Sequence, residues 1–463
     1  MKDSRLFGNR IFYGKALSIA LPIMLQQLIQ NLVSLIDNFM VAGLGDVSMS
    51  GVNIAGQILF VFMIFLNTIC MSGGIYLTQF FGAEAPRGMK QAFRFKLIAG
   101  LAAFIPYFLV CIVFPRQVLS LMVIGNTEAS AILDQGVEYI RIMFFMGLQM
   151  TVSMCIASSL RDTGRVKIPL YVSIAATLIN SFFNWALIYG HLGMPAMGVR
   201  GAAFATVIAR TTELVIYIIV CAKLKPPFVI KPHELTGIDR PLFKDMVKKC
   251  FMVMMSEMTW VLSETVTTAV YNGRGGADVV SGMAAGFAIA NLFFVSFGGT
   301  TAATSVILGS TLGAGKLEEA KKQKTWLLSG SVVLGVIMLL FGLLTTLLVP
   351  VVFGRLSPAA IRLCRTMVIM TAAFLPLWLY MNVQLAVARS GGDTAMGAIA
   401  DAFITAFVMM PLLLILAAFT DFGPLMLYFC VKLLDVVRVI VFHLWLRRER
   451  WLRNLAAESF NSV

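Results

Sequence analysis

Residues 21–45 read LPIMLQQLIQNLVSLIDNFMVAGLG, an apolar run without Lys or Arg in which Asp37 is the single carboxylate. A helix of that length reaches roughly 37 Å, enough to cross the ~30 Å hydrocarbon core of a bilayer. A carboxylate inside such a helix faces a cavity or a partner. The rest of the chain has the same texture. Its 463 residues are 59% hydrophobic and 13% charged, where soluble domains run at about 45–50% and about 25%. That contrast excludes a soluble enzyme, a nucleic-acid-binding module and a disordered scaffold. The 7 cysteines lie in or beside apolar stretches, with no CxxC and no Cys/His pairing, so they read as buried packing groups. The first apolar run is too long for a cleaved signal peptide.

Apolar runs between polar breaks give twelve spans, at about 16–42, 51–81, 93–122, 130–160, 168–190, 199–222, 247–272, 281–312, 325–351, 360–388, 395–420 and 423–446. The fold class is therefore all-α integral membrane, with no room for a soluble catalytic domain. Lys and Arg set the orientation. Lys2, Arg5, Arg10 and Lys15 precede the first span, Arg161, Arg165 and Lys167 follow the fourth, and a run from Lys223 to Lys249 follows the sixth. The opposite side carries Arg116, Arg200, Arg274, Arg355, Arg362 and Arg365. The expectation is a multi-pass protein of the plasma (inner) membrane with both termini cytoplasmic. The net charge of +14 then reports topology, and nucleic acid is not an expected partner.

Sliding the chain on itself by 231 positions aligns several polar breaks without a gap. Gly45, Ser50 and Gly51 fall on Gly276, Ser281 and Gly282; Gly82, Ala83 and Lys90 fall on Gly313, Ala314 and Lys321; Ala157, Ser159, Asp162 and Thr163 fall on Ala388, Ser390, Asp393 and Thr394. Agreement at one offset indicates duplication. Halves of six spans share orientation, so the repeats are parallel. The expected division is a first half at 1–222, a cytoplasmic linker at 223–246, a second half at 247–446 and a cytoplasmic tail at 447–463.

Polar groups inside the spans are the candidate functional residues. Asp37 and Asn184 each stand six residues from an outer-end glycine, roughly 9 Å deep, with Asn180 on the same helix face as Asn184. Thr206 lies roughly 12 Å deep by the same measure. One carboxylate, two amides and a hydroxyl at similar depth suit a hard monovalent cation or a proton; alternatively the amides merely bond Asp37 to hold helices together. In the second half Glu257 and Asp401 are candidate ion or substrate groups, and Glu264 follows Glu257 on one face. Arg210 with Glu213, Asp435 with Arg438, and Arg141 with Glu138 have the spacing of self-neutralised pairs. Pro22 removes a backbone hydrogen bond from the first span and is either a hinge or a fixed kink. The 28 Met and 35 Phe, with Met252, Met254, Met255 and Met258 around Glu257, suit a pocket for varied lipophilic cations or ordinary lipid-facing packing. Gly309–Lys316, GSTLGAGK, lacks the spacing and the Ser or Thr of a phosphate loop. No catalytic motif emerges, and uphill transport would draw on an ion gradient.

The combination of Leu21–Gly45, FFGAEAPRGMKQA after the second span, GVRGAAFAT opening the sixth and RSGGDT after the tenth resembles the multidrug and toxic compound extrusion (MATE) transporters. The resemblance covers essentially the whole chain. It implies a V-shaped, two-lobed, monomeric exporter that is not an enzyme and needs no cofactor, expelling small organic cations in exchange for Na+ or H+. It also implies a cation or proton site at Asp37, Asn180, Asn184 and Thr206, binding the metal ion Na+ if the protein is sodium-coupled, and a bending proline at Pro22. Competing expectations are a flippase for a lipid-linked oligosaccharide, an exporter of one dedicated natural product, and a channel.

Overall fold

The computed structural model describes residues 6–124, 128–354 and 356–460; Lys2, Arg5 and Arg355 of the charge pattern lie outside them. Among the described residues the chain is helical throughout, without strands. In order, α1 is Arg10–Ala42, α2 Asp46–Gly82, α3 Pro86–Phe108 with a π-helical extension Leu109–Val113, α4 Pro115–Ser120, α5 Ala129–Asp162, α6 Lys167–Tyr189 and α7 Val199–Leu224. There follow α8 Arg240–Asn272, α9 Ala277–Gly313, α10 Leu317–Thr345, α11 Val349–Val352 and α12 Pro358–Ser390. The next span is built from π-helical turns Met396–Asp401 and Thr405–Met409 around α13 Ala402–Ile404, and runs on as α14 Met410–Phe419. Last come α15 Pro424–Arg447 and α16 Leu455–Phe460.

Ten of these helices are long and apolar enough to cross a membrane. The other two of spanning length, α8 and α15, are interrupted by charge: Glu257 and Glu264 in α8, and Lys432, Asp435 and Arg438 in α15. Helix ends depart from the hydropathy breaks in a consistent way. α8 begins at Arg240, not near 247, because its charged first turns extend a helix beyond its apolar part. The ninth span ends at Thr345, where the chain breaks before α11. The duplication is visible in the helix bounds, since α2 and α9 share both ends at the 231 offset and α3 and α10 share their start.

The chain forms two compact units. One comprises Leu25–Leu77 and Ala85–Met246; the other comprises Met1–Met24, Thr78–Glu84 and Val247–Val463. The first unit's core gathers Leu59, Phe62 and Leu66 of α2, Tyr107 of α3, Ile140, Met143 and Met146 of α5, and Ala203 of α7. Lys96 is fully buried there, bonded to Ser158, Ser159 and Asp162 at 2.9, 3.2 and 2.6 Å. The segment leading to α8 docks on α3, with Lys90 paired to Glu234 at 3.1 Å and Arg94 donating to the Gly237 carbonyl at 2.6 Å.

The second unit's core is formed by Phe293 of α9, Met367, Leu375 and Trp378 of α12, Leu413 of α14, and Leu427 and Tyr428 of α15. At one end of this unit α2 and α9 cross so closely that each uses a glycine against the other's backbone. Gly82 meets Ser310 and Gly313 meets Gln79, so a Cβ at either would overlap main-chain atoms. The four positions are related by 231, making the crossing its own mirror in sequence. The tail seals this end: Trp451, Leu455 and Ala456 are 1–2% exposed. The Gln79 side chain donates to the Ser390 carbonyl at 2.8 Å and accepts from the Leu455 backbone N–H at 2.7 Å. On both units large apolar side chains such as Phe407, Leu347, Phe145 and Phe39 are exposed, as lipid-facing surfaces require.

Candidate cation site

In the first unit the C-terminal half of α1 is fastened to α6 at three levels. Gln30 donates to Ser173 at 3.5 Å, Asn184 donates to Asp37 Oδ1 at 2.6 Å, and the Tyr189 hydroxyl donates to the Met40 carbonyl at 2.7 Å. The last contact needs the absence of a side chain at Gly43, whose Cβ would lie 2.9 Å from the Tyr189 oxygen. α6 ends where Gly190 takes a left-handed φ of 77°. The chain then returns with Met197 N–H bonded to the Leu187 carbonyl at 2.8 Å, which sets α7 beside α6. These local choices bring four side chains from three helices to the same level.

The structure thus brings together all four residues singled out at this depth. Asn184 Nδ2 also donates to Asn180 Oδ1 at 3.2 Å, and Asn180 Nδ2 donates to Thr206 Oγ1 at 3.3 Å. Thr206 passes its own proton to the Ala202 carbonyl at 3.0 Å. Asn180 and Asn184 are buried, while Asp37 and Thr206 are half-buried. Two features are unusual. Asn184 Oδ1 is a buried acceptor without a hydrogen-bond partner. Asn180 Oδ1 stands 3.0 and 3.1 Å from the two oxygens of Asp37, acceptor against acceptor. Rotation of the amide, a proton on the carboxyl, or a cation between the oxygens relieves that opposition. No Lys or Arg forms an ion pair with Asp37 among the described residues; Arg210, one turn beyond Thr206, is held by Glu213 at 2.6 Å. The donor set of carboxylate, two amide oxygens and a hydroxyl fits a small hard monovalent cation, and no cluster of His, Cys, Asp or Glu for a transition metal occurs among the described residues. Sequence reasoning missed Tyr139 of α5, a buried phenol within electrostatic reach of Asp37 and beside Thr206. A tyrosine in an apolar helix carries no signal distinguishing this placement from ordinary packing.

The two candidate acids of the second unit, Glu257 and Asp401, each have a basic partner. Glu257 pairs with Arg389 at 2.9 Å. Asp401 pairs with Arg438 and accepts from Ser256 at 3.0 Å. The Arg438–Asp435 pair is present at 2.9 Å, but the guanidinium is shared with Asp401 across helices, so the pair is not self-contained. Glu138 is held by Arg200 of α7, which corrects its assignment to Arg141. Pro22 leaves α1 continuous, and the boundary between compact units falls two residues beyond it.

Comparison with known proteins agrees with this architecture. The MatE family profile matches the chain twice, at residues 22–186 and 253–416, two copies whose starts are displaced by the same offset as the internal repeat. The chain is 25% identical over 346 residues to "Probable multidrug resistance protein NorM" of Thermotoga maritima, covering 70% of this chain and 69% of that protein. Matches to two Bacillus subtilis relatives span less than half of their length. Among solved structures, a proline-to-alanine mutant of a MATE protein superposes with a TM-score of 0.84 at 18% identity, over 97% of this chain and 98% of that one. An aspartate-to-asparagine mutant of the Vibrio cholerae MATE transporter VcmN gives 0.82 at 16%, over 96% and 98%. The chain is a multi-pass membrane protein belonging to the MatE family of transporters.

Proposed function

We propose that this protein is a secondary active multidrug antiporter of the plasma membrane, exporting lipophilic organic cations in exchange for Na+ or H+ taken up at Asp37. The observation that carries this reading is a spanning-helix carboxylate held by amides, without a basic partner among the described residues and flanked by the orphaned Asn184 Oδ1. A proton or Na+ at Asp37 gives the buried Asn184 Oδ1 a partner. Binding there draws Asp37, Asn180, Asn184 and Thr206 together and favours one conformation of α1. Substrate favours the other, and exchange requires only that the two ligands prefer different states. Pro22 is the bending point, since α1 lacks one backbone hydrogen bond there and its two sides pack in different compact units. In this reading the six-helix halves at 1–222 and 247–446 are the two lobes, both termini are cytoplasmic, and the protein works as a monomer. The name of the Thermotoga maritima relative, a probable multidrug resistance protein, supports the multidrug part of this reading.

Export of ethidium from inverted vesicles, with Na+ and proton gradients imposed separately, tests the proposal. Wild type should respond to one gradient and Asp37→Asn to neither. Full export by Asp37→Asn would refute the coupling role.

A further inference from the structure

α15 presents Lys432, Asp435 and Arg438 at three-residue steps along one face. Lys432 Nζ lies 3.7 Å from Glu264 Oε1 on α8. It also sits 5.3 Å from the ring centre of Trp378 on α12 and 5.6 Å from that of Tyr428 on its own helix. Trp378 Nε1 donates to Asp435 Oδ2 at 2.8 Å. Arg438 binds Asp435, Asp401 and, at 2.9 Å, Thr405 Oγ1. Three carboxylates thus share two bases, and with all five ionised the cluster carries one negative charge too many. Inside a spanning bundle an uncompensated charge is costly and marks a place where a cation binds.

A second observation points to the same spot. The Tyr271 hydroxyl of α8 is fully buried without a hydrogen-bond partner, its ring edge-to-face with Tyr428 at 5.9 Å, within electrostatic reach of Glu264 and Asp435. Tyr428, by contrast, shares a hydrogen bond with Thr371 at 3.2 Å. An ammonium over two aromatic faces beside a carboxylate is how proteins hold organic cations. Here the ammonium belongs to the protein.

We propose that Glu264, Trp378, Tyr428 and Tyr271 form a subsite for a monovalent lipophilic organic cation, occupied by the Lys432 ammonium until substrate displaces it. The proposal rests on the reading of the chain as an organic-cation exporter. On displacement Lys432 turns to Asp435, one helical turn along the same face. Arg438 then serves Asp401 alone, and the substrate's charge neutralises Glu264. Every charge is paired in the substrate-bound arrangement, whereas without substrate Arg438 serves two acids. The surplus carboxylate leaves one negative charge for a monovalent cation to neutralise, and the uncommitted Tyr271 hydroxyl supplies a polar contact at the same place.

Equilibrium binding of tetraphenylphosphonium to the purified full-length protein tests this, using wild type, Lys432→Met, Glu264→Gln and the double variant. Lys432→Met should bind about tenfold tighter because the internal competitor is gone, and Glu264→Gln several-fold weaker, roughly the worth of one ion or cation–π contact. The double variant should lose the gain. A gain is not what structural damage produces. Wild-type binding left unchanged by Glu264→Gln, or Lys432→Met binding no tighter than wild type, overturns the subsite while leaving the exporter reading intact. Absence of binding to every form overturns both. Should Lys432→Met fail to fold, the near-isosteric Glu264→Gln decides by whether affinity falls.

Discussion

Arg438→Met is expected to destabilise the second compact unit chiefly through charge. The guanidinium is 12% exposed and holds Asp435, at 2%, and Asp401, at 14%. Removing one partner of a buried ion pair costs about 3–5 kcal/mol, because a charge is left without compensation. Methionine keeps much of the stem's packing, so the loss is chiefly electrostatic. Trp378 and Ser256 already donate to the two acids at 2.8 and 3.0 Å in the intact protein, so neither contact is new in the variant. Lys432 can turn toward Asp435 and recover part of one pair, which places the expected loss near the lower bound, about 3 kcal/mol. At ~2–4 °C per kcal/mol for a unit of this size, the midpoint of thermal unfolding should fall by roughly 6–12 °C. The assay is thiol-dye labelling during heating, since Cys364 of this unit is fully buried and reacts as its surroundings open. Adding Asp401→Asn and Asp435→Asn should restore most of the loss by removing the stranded charges. A midpoint within about 1 °C of wild type, or no recovery in the triple variant, would refute the charge argument.

Further expectations concern packing and the surface. Gly82→Leu and Gly313→Leu should each abolish folded yield on size-exclusion chromatography, because both force the α2–α9 crossing apart; Gly56→Ala, with open space around it, should be tolerated. Trp451→Ala should lower the unfolding midpoint, with a cost of about 3–5 kcal/mol typical of a buried tryptophan; an unchanged midpoint would mean the tail contributes nothing to the unit. Glu234 is held below its ordinary value, first by the Lys231 backbone N–H and then by Lys90. A depressed carboxylate contributes while ionised and loses that contribution as pH falls through its folded value. Hydrogen exchange at Lys231, corrected for intrinsic rate, should therefore be flat from about pH 5 to 8 and rise only below the usual glutamate range of about 4; an inflection near neutrality would contradict the assignment.

The spans were legible because water and lipid sort residues so strongly that glycines and charges mark nearly every loop. What hydropathy cannot register is a helix that continues after its apolar part ends, as α8 does from Arg240, or a span that widens into π-helical turns, as between Met396 and Met409. Asp37, Asn180, Asn184 and Thr206 were legible together because depth is a countable coordinate in a membrane helix. Tyr139 was not, since its neighbours depend on how α5 is rotated. Pairs at three-residue spacing were readable for Arg210 with Glu213. They misled for Glu138, because Arg200 of another helix out-competes a neighbour on the same one. Lys432 with Glu264, and Arg438 with Asp401, join positions far apart in sequence, where only packing decides.

The contact between Gln79 and Leu455 bears on how the molecule is made. Gln79 leaves the ribosome 376 residues before its partner, so this end of the bundle stays unlatched while those residues are made. Membrane insertion of the intervening helices proceeds with the α2–α9 crossing open to rearrangement. Only emergence of the segment around Trp451 and Leu455 commits it. A product truncated before Trp451 therefore carries its spans without the contacts that hold this end together.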